Sequence, residues 1–461
     1  MKYVNNFVSS ERQSFSSSVQ SFLSPYVDIP LCQSEDGELE CNVKVGDFVS
    51  EGQIIAKQKD KNLMLHSSIP GKVDKIEKCT LASGKLGFAC NIKLQGEFSF
   101  FAKKNQNFEY QNYSSSEITN KFASLGVINT FKNPISLANQ IESSKLKNNK
   151  FVVLRMFDED PSRMTDLFVA ENYTKEVLEG LKIVAKAFEA KAVILLASQK
   201  TKFDFDFDKE FSDLPSLFIK VDTSKYPCGF AENLINLVKE TVKNKNSSSK
   251  FSKLAKISSE NSQIDFSKVN RECIFIDSET AFSARNAIVF NKPVVENFVH
   301  FTGNCLRAAA MFKVRIGTPV KSLIKQCGGF KTKCAKIVIN GLITGKSVYT
   351  YDFPISKDIK SIEFLPSAEL FNQNTSPCIR CGKCRKICPE NLFPDLIYEN
   401  LTEDFEISAS MKQTVKLCSE CNLCNSICPS RIPLSQSILL LKNQISENQM
   451  QNQTLENQNQ N

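Results

Sequence analysis

Two stretches near the C-terminus carry the residues with the most chemistry. CIRCGKCRKICP from Cys378 and CSECNLCNSICP from Cys418 share the pattern C-x-x-C-x-x-C-x-x-x-C-P, and together hold eight of the seventeen cysteines. An iron–sulfur cube presents four iron corners a few ångströms apart, so three thiolates must converge from one short loop while a fourth reaches in from farther away. C-x-x-C-x-x-C supplies the three and the cysteine before proline supplies the fourth. Where two such runs occur, that fourth cysteine serves the other cluster. The spacing therefore assigns Cys378, Cys381, Cys384 and Cys428 to one [4Fe-4S] centre, and Cys418, Cys421, Cys424 and Cys388 to a second. Pro389 and Pro429 turn the chain away after the last ligand and carry no amide hydrogen. Zinc prefers four thiolates or histidines in two separated pairs, which crowded triplets followed by Cys-Pro do not match.

The rest of the chain must hold these loops. With 461 residues, 41% hydrophobic and 23% charged, it is long enough for two to four domains with separate cores. No apolar run resembles a signal-peptide core or reaches bilayer-spanning length, so a cytoplasmic location is expected. In that reducing setting the nine scattered cysteines, among them Cys32, Cys90, Cys273 and Cys327, read as small core residues. The net charge of +8 comes from dispersed lysines with no basic block interleaved with aromatics, which argues against nucleic-acid binding. The two histidines, His66 and His300, are too few for a histidine-based catalytic or zinc centre and are expected to be structural.

Along the chain, residues 28–100 read as short strands separated by Gly and Pro turns, the rhythm of a barrel-sandwich hybrid. Lys61 falls near the place of a lipoyl lysine, but the following spacing is not that of a carrier domain, and a structural barrel is expected. Residues 118–242 form a Rossmann-like α/β domain: KFVVLRMF and KAVILLAS are buried-strand candidates joined by a helix with Val177, Leu181, Val184 and Phe188 on one face. The loop FDEDPSRMTD follows the first strand, where parallel sheets place ligands. A further helix carries Leu234, Leu237, Val238 and Val242. The Lys/Ser/Asn-rich segment 243–266 is expected to be a mobile linker and 443–461 a disordered Asn/Gln-rich tail. Between them lie a compact α+β module at 267–366 and a mainly helical cluster domain at 370–442.

These modules, in this order, resemble RnfC, the peripheral subunit of the ion-translocating Rnf complex that exchanges electrons between ferredoxin and NAD. Outside the clusters the chain is also similar to NqrA and to the flavin-bearing subunit of complex I. VKVGDFVSEGQ with LHSSIPGKV, YTKEVLEGLKI, KYPCGFAENLI, FKVRIGTPVKSLIKQCGGF and the two cysteine runs carry the resemblance, which extends from about Pro30 to Lys442. It implies that 267–366 is a β-grasp module of the soluble-ligand-binding type. It implies a subunit docked on the cytoplasmic face of a cell membrane, with other membrane subunits as partners and ferredoxin as a further candidate, relaying single electrons inside a translocase. It also implies a nucleotide site for FMN or NAD(H). There the chain departs from the family: the glycine-rich phosphate loop reads SLGVINTFKNPISLANQ, with Gly126 its only glycine. Asp158 and Asp160 align with the family's acidic positions and are the candidates for a residual site. The alternatives are an iron–sulfur subunit of a soluble dehydrogenase or reductase, and a structural zinc or adaptor protein.

Overall fold

The computed structural model describes residues 4–5, 15–35, 37–58, 63–98, 107–147, 150–203, 205–244, 255–258, 264–370, 374–402 and 408–445. Lys61, much of the 243–266 segment and nearly all of the 443–461 tail lie outside them.

The turn-rich N-terminal region folds into a barrel-sandwich hybrid built of two small antiparallel sheets. One joins Tyr26–Pro30, Leu86–Leu94, Gly71–Thr80 and Phe48–Val49, and the other joins Glu40–Cys41, Ile54–Lys57 and Met64–His66. Val27, Ile29, Ile55, Leu65, Val73 and Ile92 fill the space between them. Outward residues alternate with these, as an antiparallel strand buried on one face requires.

The central sheet has the strand order Ala255–Ile257, Ser216–Val221, Ala192–Ser198, Phe151–Arg155, Ile274–Asp277. Its inner strands are continuous apolar runs because helices cover both faces. Val152, Leu154, Val193 and Leu195 point to the side holding the helices Thr174–Phe188 and Ser278–Phe290. Val153, Ile194, Leu196 and Leu217 point to the side of Ala231–Asn244. Gly180 lets the first two helices meet backbone to backbone, since a Cβ there would lie 1.9 Å from the Ala281 carbonyl oxygen. Both expected strands and both expected helices are present, and Phe151–Arg155 pairs in parallel with Ala192–Ser198.

Two boundaries differ from expectation. Ile274–Asp277 pairs in parallel with Phe151–Arg155, so this domain continues to about residue 290 instead of ending at 242. The reason is burial: all four residues of IFID are enclosed, which a strand reaches only inside a covered sheet. Within the expected polar linker, Ala255–Ile257 adds antiparallel to Ser216–Val221 as an edge strand, a position its polar neighbours tolerate.

The β-grasp module therefore begins near Glu296. The hairpin Glu296–Thr302 and Ala310–Arg315 is followed by the helix Val320–Gln326 and the strands Cys334–Ile339, Lys346–Val348 and Ser361–Pro366. The last of these runs parallel to the first, and Val19–Gln20 joins the far edge. Of the nine scattered cysteines, Cys90, Cys273, Cys305 and Cys327 are buried as expected, whereas Cys32, Cys41, Cys79, Cys228 and Cys334 are half-buried. His66 and His300 are both buried.

Candidate metal centre

The C-terminal domain is a repeat. The short helix Lys383–Ile387 of the first cysteine run corresponds to Leu423–Ile427 of the second, and the two pack together. Each run needs backbone in the left-handed region at equivalent places: Arg380 (φ 51°) and Gly382 (φ 68°) in the first, Glu420 (φ 65°) and Asn422 (φ 58°) in the second. Asn391 and Arg431 repeat the feature after each Cys-Pro. These turns aim amide hydrogens at sulfur. Arg380 N–H lies 3.4 Å from Cys378 Sγ, and Leu392 N–H lies 3.4 Å from Cys388 Sγ. A helix covering 434–445 closes the domain, with Ile397, Val415, Ile438 and Leu441 as its core.

The two thiol sets have different surroundings. Cys418, Cys421 and Cys424 of the second run line a cavity together with Cys388 of the first, beside Leu392 and Ile438. Cys388, Cys421 and Cys424 are buried and Cys418 is half-buried. Of the other set, Cys384 is buried against Cys424, Ile432 and Leu434, with Cys428 packed on it, while Cys378 and Cys381 are exposed.

The donor chemistry fits an iron–sulfur group. Burial pushes the Cys421 thiol up to about 11. Burial, reinforced by the neighbouring thiols Cys421, Cys418 and Cys388, also raises Cys424. Buried thiols such as Cys421 and Cys424 hold their protons until a cationic group displaces them, and Cys418 and Cys388 share their cavity. They ring a cavity instead of converging on a point: among the described residues, no three Cys, His, Asp or Glu side chains come together as a cage for a single ion.

The second run is clamped to the body of the protein. Tyr226, in the two-residue strand Lys225–Tyr226 that follows Ser216–Val221, donates its hydroxyl to the Cys421 carbonyl at 2.7 Å, and Tyr226 and Phe230 pack on Leu423, which is wholly buried. Asn422 donates its side-chain amide to the Ile343 carbonyl, and Glu420 pairs with Lys442 and, at 3.8 Å, with Lys132.

Asp160 and Asp158 are both engaged by the protein. Asp160 accepts the backbone amides of Ser162 at 2.7 Å and of Ile343 and Thr344 at 2.8 Å each. It shapes the β-grasp loop on which Asn422 rests, and Gly341 (φ +106°) admits it, since a Cβ there would lie 2.4 Å from the carboxylate. Asp158 accepts the amides of Asp166 and Leu167 at the start of the helix Thr165–Asn172 and pairs with Arg163. Gly126 meets the barrel and the β-grasp module: its carbonyl accepts the buried Lys357 ammonium at 2.7 Å. The carboxyl end of the Phe151–Arg155 strand is filled by Arg155 itself, stacked 4.1 Å over the Phe131 ring and donating to the Gly229 and Phe131 carbonyls. Arg155, Tyr226 and Asn422 were not singled out by sequence reasoning. Only Arg155 left a signal, as a charge inside an apolar strand.

Comparison with known proteins accords with this architecture. Residues 9–97 match the family model of the RnfC barrel sandwich hybrid domain, and residues 377–433 match that of the 4Fe-4S dicluster domain. The chain thus combines a region similar to the RnfC barrel at its N-terminal end with one similar to the 4Fe-4S dicluster domain near its C-terminal end. It is similar to proteins named as the C component of the ion-translocating oxidoreductase complex. The one from Rhodobacter capsulatus is 26% identical over 92% of this chain and 78% of the relative. That from Buchnera aphidicola is 24% identical over 77% and 67%, and that from Erwinia tasmaniensis 25% identical over 80% and 44%. The chain therefore spans between about two fifths and four fifths of these relatives. A chain of an NAD+-reducing [NiFe]-hydrogenase in the air-oxidised state aligns over 73% of this chain and 65% of its own length, at 9% identity and a TM-score of 0.43.

Proposed function

We propose that this chain is the electron-transferring RnfC-type component of a membrane-bound, ion-translocating oxidoreductase, and that it holds two [4Fe-4S] centres. One is bound by Cys378, Cys381, Cys384 and Cys428, the other by Cys418, Cys421, Cys424 and Cys388. The carrying observation is that Cys388, thirty residues before Cys418, lines the same cavity as the three thiols of the second run. A [4Fe-4S] centre supplies one-electron exchange. The chain's own residues position and insulate: Leu392, Leu423 and Ile438 exclude water, and amides such as Leu392 N–H direct hydrogen bonds to sulfur, both of which tune a potential.

No general acid, base or nucleophile is assigned. Asp158 and Asp160 serve the protein's own amides, and Arg155 with Phe131 occupies the strand end, which supports electron exchange with a protein partner in place of FMN or NAD(H) bound here. Among the described residues no helix is long and apolar enough to cross a membrane. The protein is accordingly read as peripheral, on the cytoplasmic face, held by the membrane-embedded members of the complex. Oxygen-free purification with iron, acid-labile sulfide and EPR measurements tests the centres. Colourless, EPR-silent, zinc-loaded protein refutes them, and tight flavin or NADH binding in titration refutes the empty nucleotide site.

A further inference from the structure

Two of the scattered cysteines meet inside the N-terminal barrel. Cys41 comes from the strand Glu40–Cys41 at the edge of the small sheet, and Cys90, forty-nine residues further on, from Leu86–Leu94 in the interior of the large one. Cys90 is wholly enclosed in the apolar core between the sheets, and Cys41 packs half-buried against the same core. The Cys41 sulfur lies 3.5 Å from the Val43 carbonyl oxygen, to which its thiol donates when protonated. The Cys90 thiol in turn donates to the Cys41 sulfur. That hydrogen bond draws the Cys41 thiol below its ordinary range against the opposing effect of burial. The same contact, reinforced by burial, holds Cys90 above it. Thiolate is the reactive form of cysteine, so the two sulfurs divide the roles: the half-buried one is set up to meet a solute, and the enclosed one keeps its proton beside it. The neighbours are not arranged in this way. Burial raises the thiols of Cys32, Cys79, Cys228 and Cys327. In the β-grasp module Cys305 and Cys334 also touch, but there burial dominates and raises Cys334.

We infer that Cys41 and Cys90 form a peroxide-reactive dithiol, in which Cys41 is oxidised first and Cys90 resolves it into a disulfide joining the two sheets of the barrel. In the first step the Cys41 thiolate attacks one oxygen of hydrogen peroxide. An S–O bond forms, the O–O bond breaks, the sulfur gives up two electrons, and hydroxide leaves. In the second step the Cys90 sulfur bonds to that of Cys41, the S–O bond breaks, and the departing hydroxide takes the Cys90 proton to leave as water. Peroxide is the only co-reactant. Holding the resolving thiol against the reactive one stops the oxidation at a reversible stage, because the disulfide closes before a second peroxide reaches the sulfenic acid. Neither sulfur belongs to the two cysteine runs, so this chemistry does not depend on what those runs bind.

The test uses the full chain, purified without oxygen and treated near neutral pH with a small excess of hydrogen peroxide. Free thiols are then blocked with N-ethylmaleimide, and peptides are read by mass spectrometry without reduction. Wild type should yield the peptide pair joined through Cys41 and Cys90, cleaved again by dithiothreitol. It should form at least about tenfold faster than a Cys305–Cys334 link or oxidised Cys79, where thiolate is scarcer. Cys90→Ala should leave Cys41 as a sulfenic acid captured by dimedone, and further peroxide should carry it on to the sulfinic acid. Cys41→Ser should show neither product at Cys90. Circular dichroism checks that both variants fold, and the linked peptide of the wild type decides the matter without them. Absence of that peptide, its formation only after unfolding in urea, or formation no faster than the Cys305–Cys334 link overturns the dithiol. Iron and labile sulfide measured on the same samples report the two cysteine runs separately: iron-loaded protein without the linked peptide overturns the dithiol and leaves the electron-transfer reading in place.

Discussion

Lys360 joins the β-grasp module to the central sheet, and its replacement by methionine should loosen that junction by a calculable amount. Its ammonium lies 2.7 and 2.9 Å from the two Asp166 oxygens and 2.6 Å from Asp277 Oδ2, with all three side chains at most 1% exposed. At these separations each attraction is about 6 kcal/mol for an effective dielectric of about 20, much of it offset by desolvation. Removing one partner of a buried charge cluster costs about 3–5 kcal/mol, because the remaining charges are left uncompensated. Burial pushes the Asp277 carboxyl up, but Lys360 more than offsets it and holds Asp277 far below the usual range. Burial, followed by the charge of Asp277, lifts Asp166 to about 6 despite Lys360.

The sign of the pH dependence follows. In the wild type the depressed Asp277 contributes stability above its unfolded pKa that is lost as pH falls. In Lys360→Met both carboxyls lose their nearest cation, keeping only the weaker attraction of Arg163 on Asp166 and of Arg155 on Asp277, and are raised, so protonation relieves the variant in acid. The penalty should be largest near pH 7 and shrink toward about pH 4. Hydrogen exchange read by mass spectrometry on peptides spanning Ile274–Asp277 and Glu296–Thr302 reports the junction directly. A loss of about 3–5 kcal/mol appears as protection lowered about 100-fold to several-thousand-fold relative to wild type at the same pH. Lys360→Met/Asp277→Asn should recover part of it. A loss below about tenfold, or one that grows as pH falls, would refute the role given to this cluster.

Serine replacements test the crossed ligand sets through iron content. Cys388→Ser and Cys418→Ser should each remove half of the iron and their combination no more than half, whereas Cys388→Ser/Cys378→Ser should remove nearly all of it. Tyr226→Phe strips the Cys421 carbonyl of its buried donor at a cost of about 1–3 kcal/mol, visible as a lower thermal midpoint by circular dichroism, and an unchanged midpoint counts against the clamp. Glu279 is buried, with one oxygen accepting Phe298 N–H at 3.1 Å, and burial raises it to about 8. The folded chain therefore binds the extra proton between about pH 4.5 and 8 and loses stability as pH rises through that window. Glu279→Gln should remove that slope and be more stable by about 2–4 kcal/mol near pH 8, with little difference near pH 5 in urea unfolding.

The two proposed ligand sets stand out in the sequence because their chemistry is local: three cysteines within seven residues and a Cys-Pro four further on are a spacing that such a centre requires. The strands Phe151–Arg155 and Ala192–Ser198 were legible for a similar reason, since strands covered on both faces must be apolar throughout. What escaped depends on partners distant along the chain. Ile274–Asp277 is a four-residue run that could belong to either neighbouring domain, and only its parallel pairing with Phe151–Arg155 decides. The Tyr226 hydroxyl meets the Cys421 carbonyl across 195 residues, a bond no periodicity can announce. Asp158 and Asp160 show the converse: an acidic loop at a strand end invites a ligand in the sequence, yet each carboxylate meets backbone amides of the protein itself.

That last arrangement bears on why a cysteine-rich domain of some seventy residues travels with so much protein. Asp160 holds the Gly341–Thr344 turn, the turn presents the Ile343 carbonyl to Asn422, and Asn422 is one of the two left-handed residues that shape the second cysteine loop. A residue at the carboxyl end of the sheet thus fixes the loop of the buried thiol set through three hydrogen bonds and one turn. The place of Cys388 in the cavity of the second run extends that order to the first, because Cys388 follows directly on the helix Lys383–Ile387. The first run thereby stays rigid without being covered. A relay that must exchange electrons with a separate protein needs this combination, since an exposed centre on a loose loop would spend ordering entropy at every encounter, whereas one tied through its buried twin to the body of the protein meets its partner already formed.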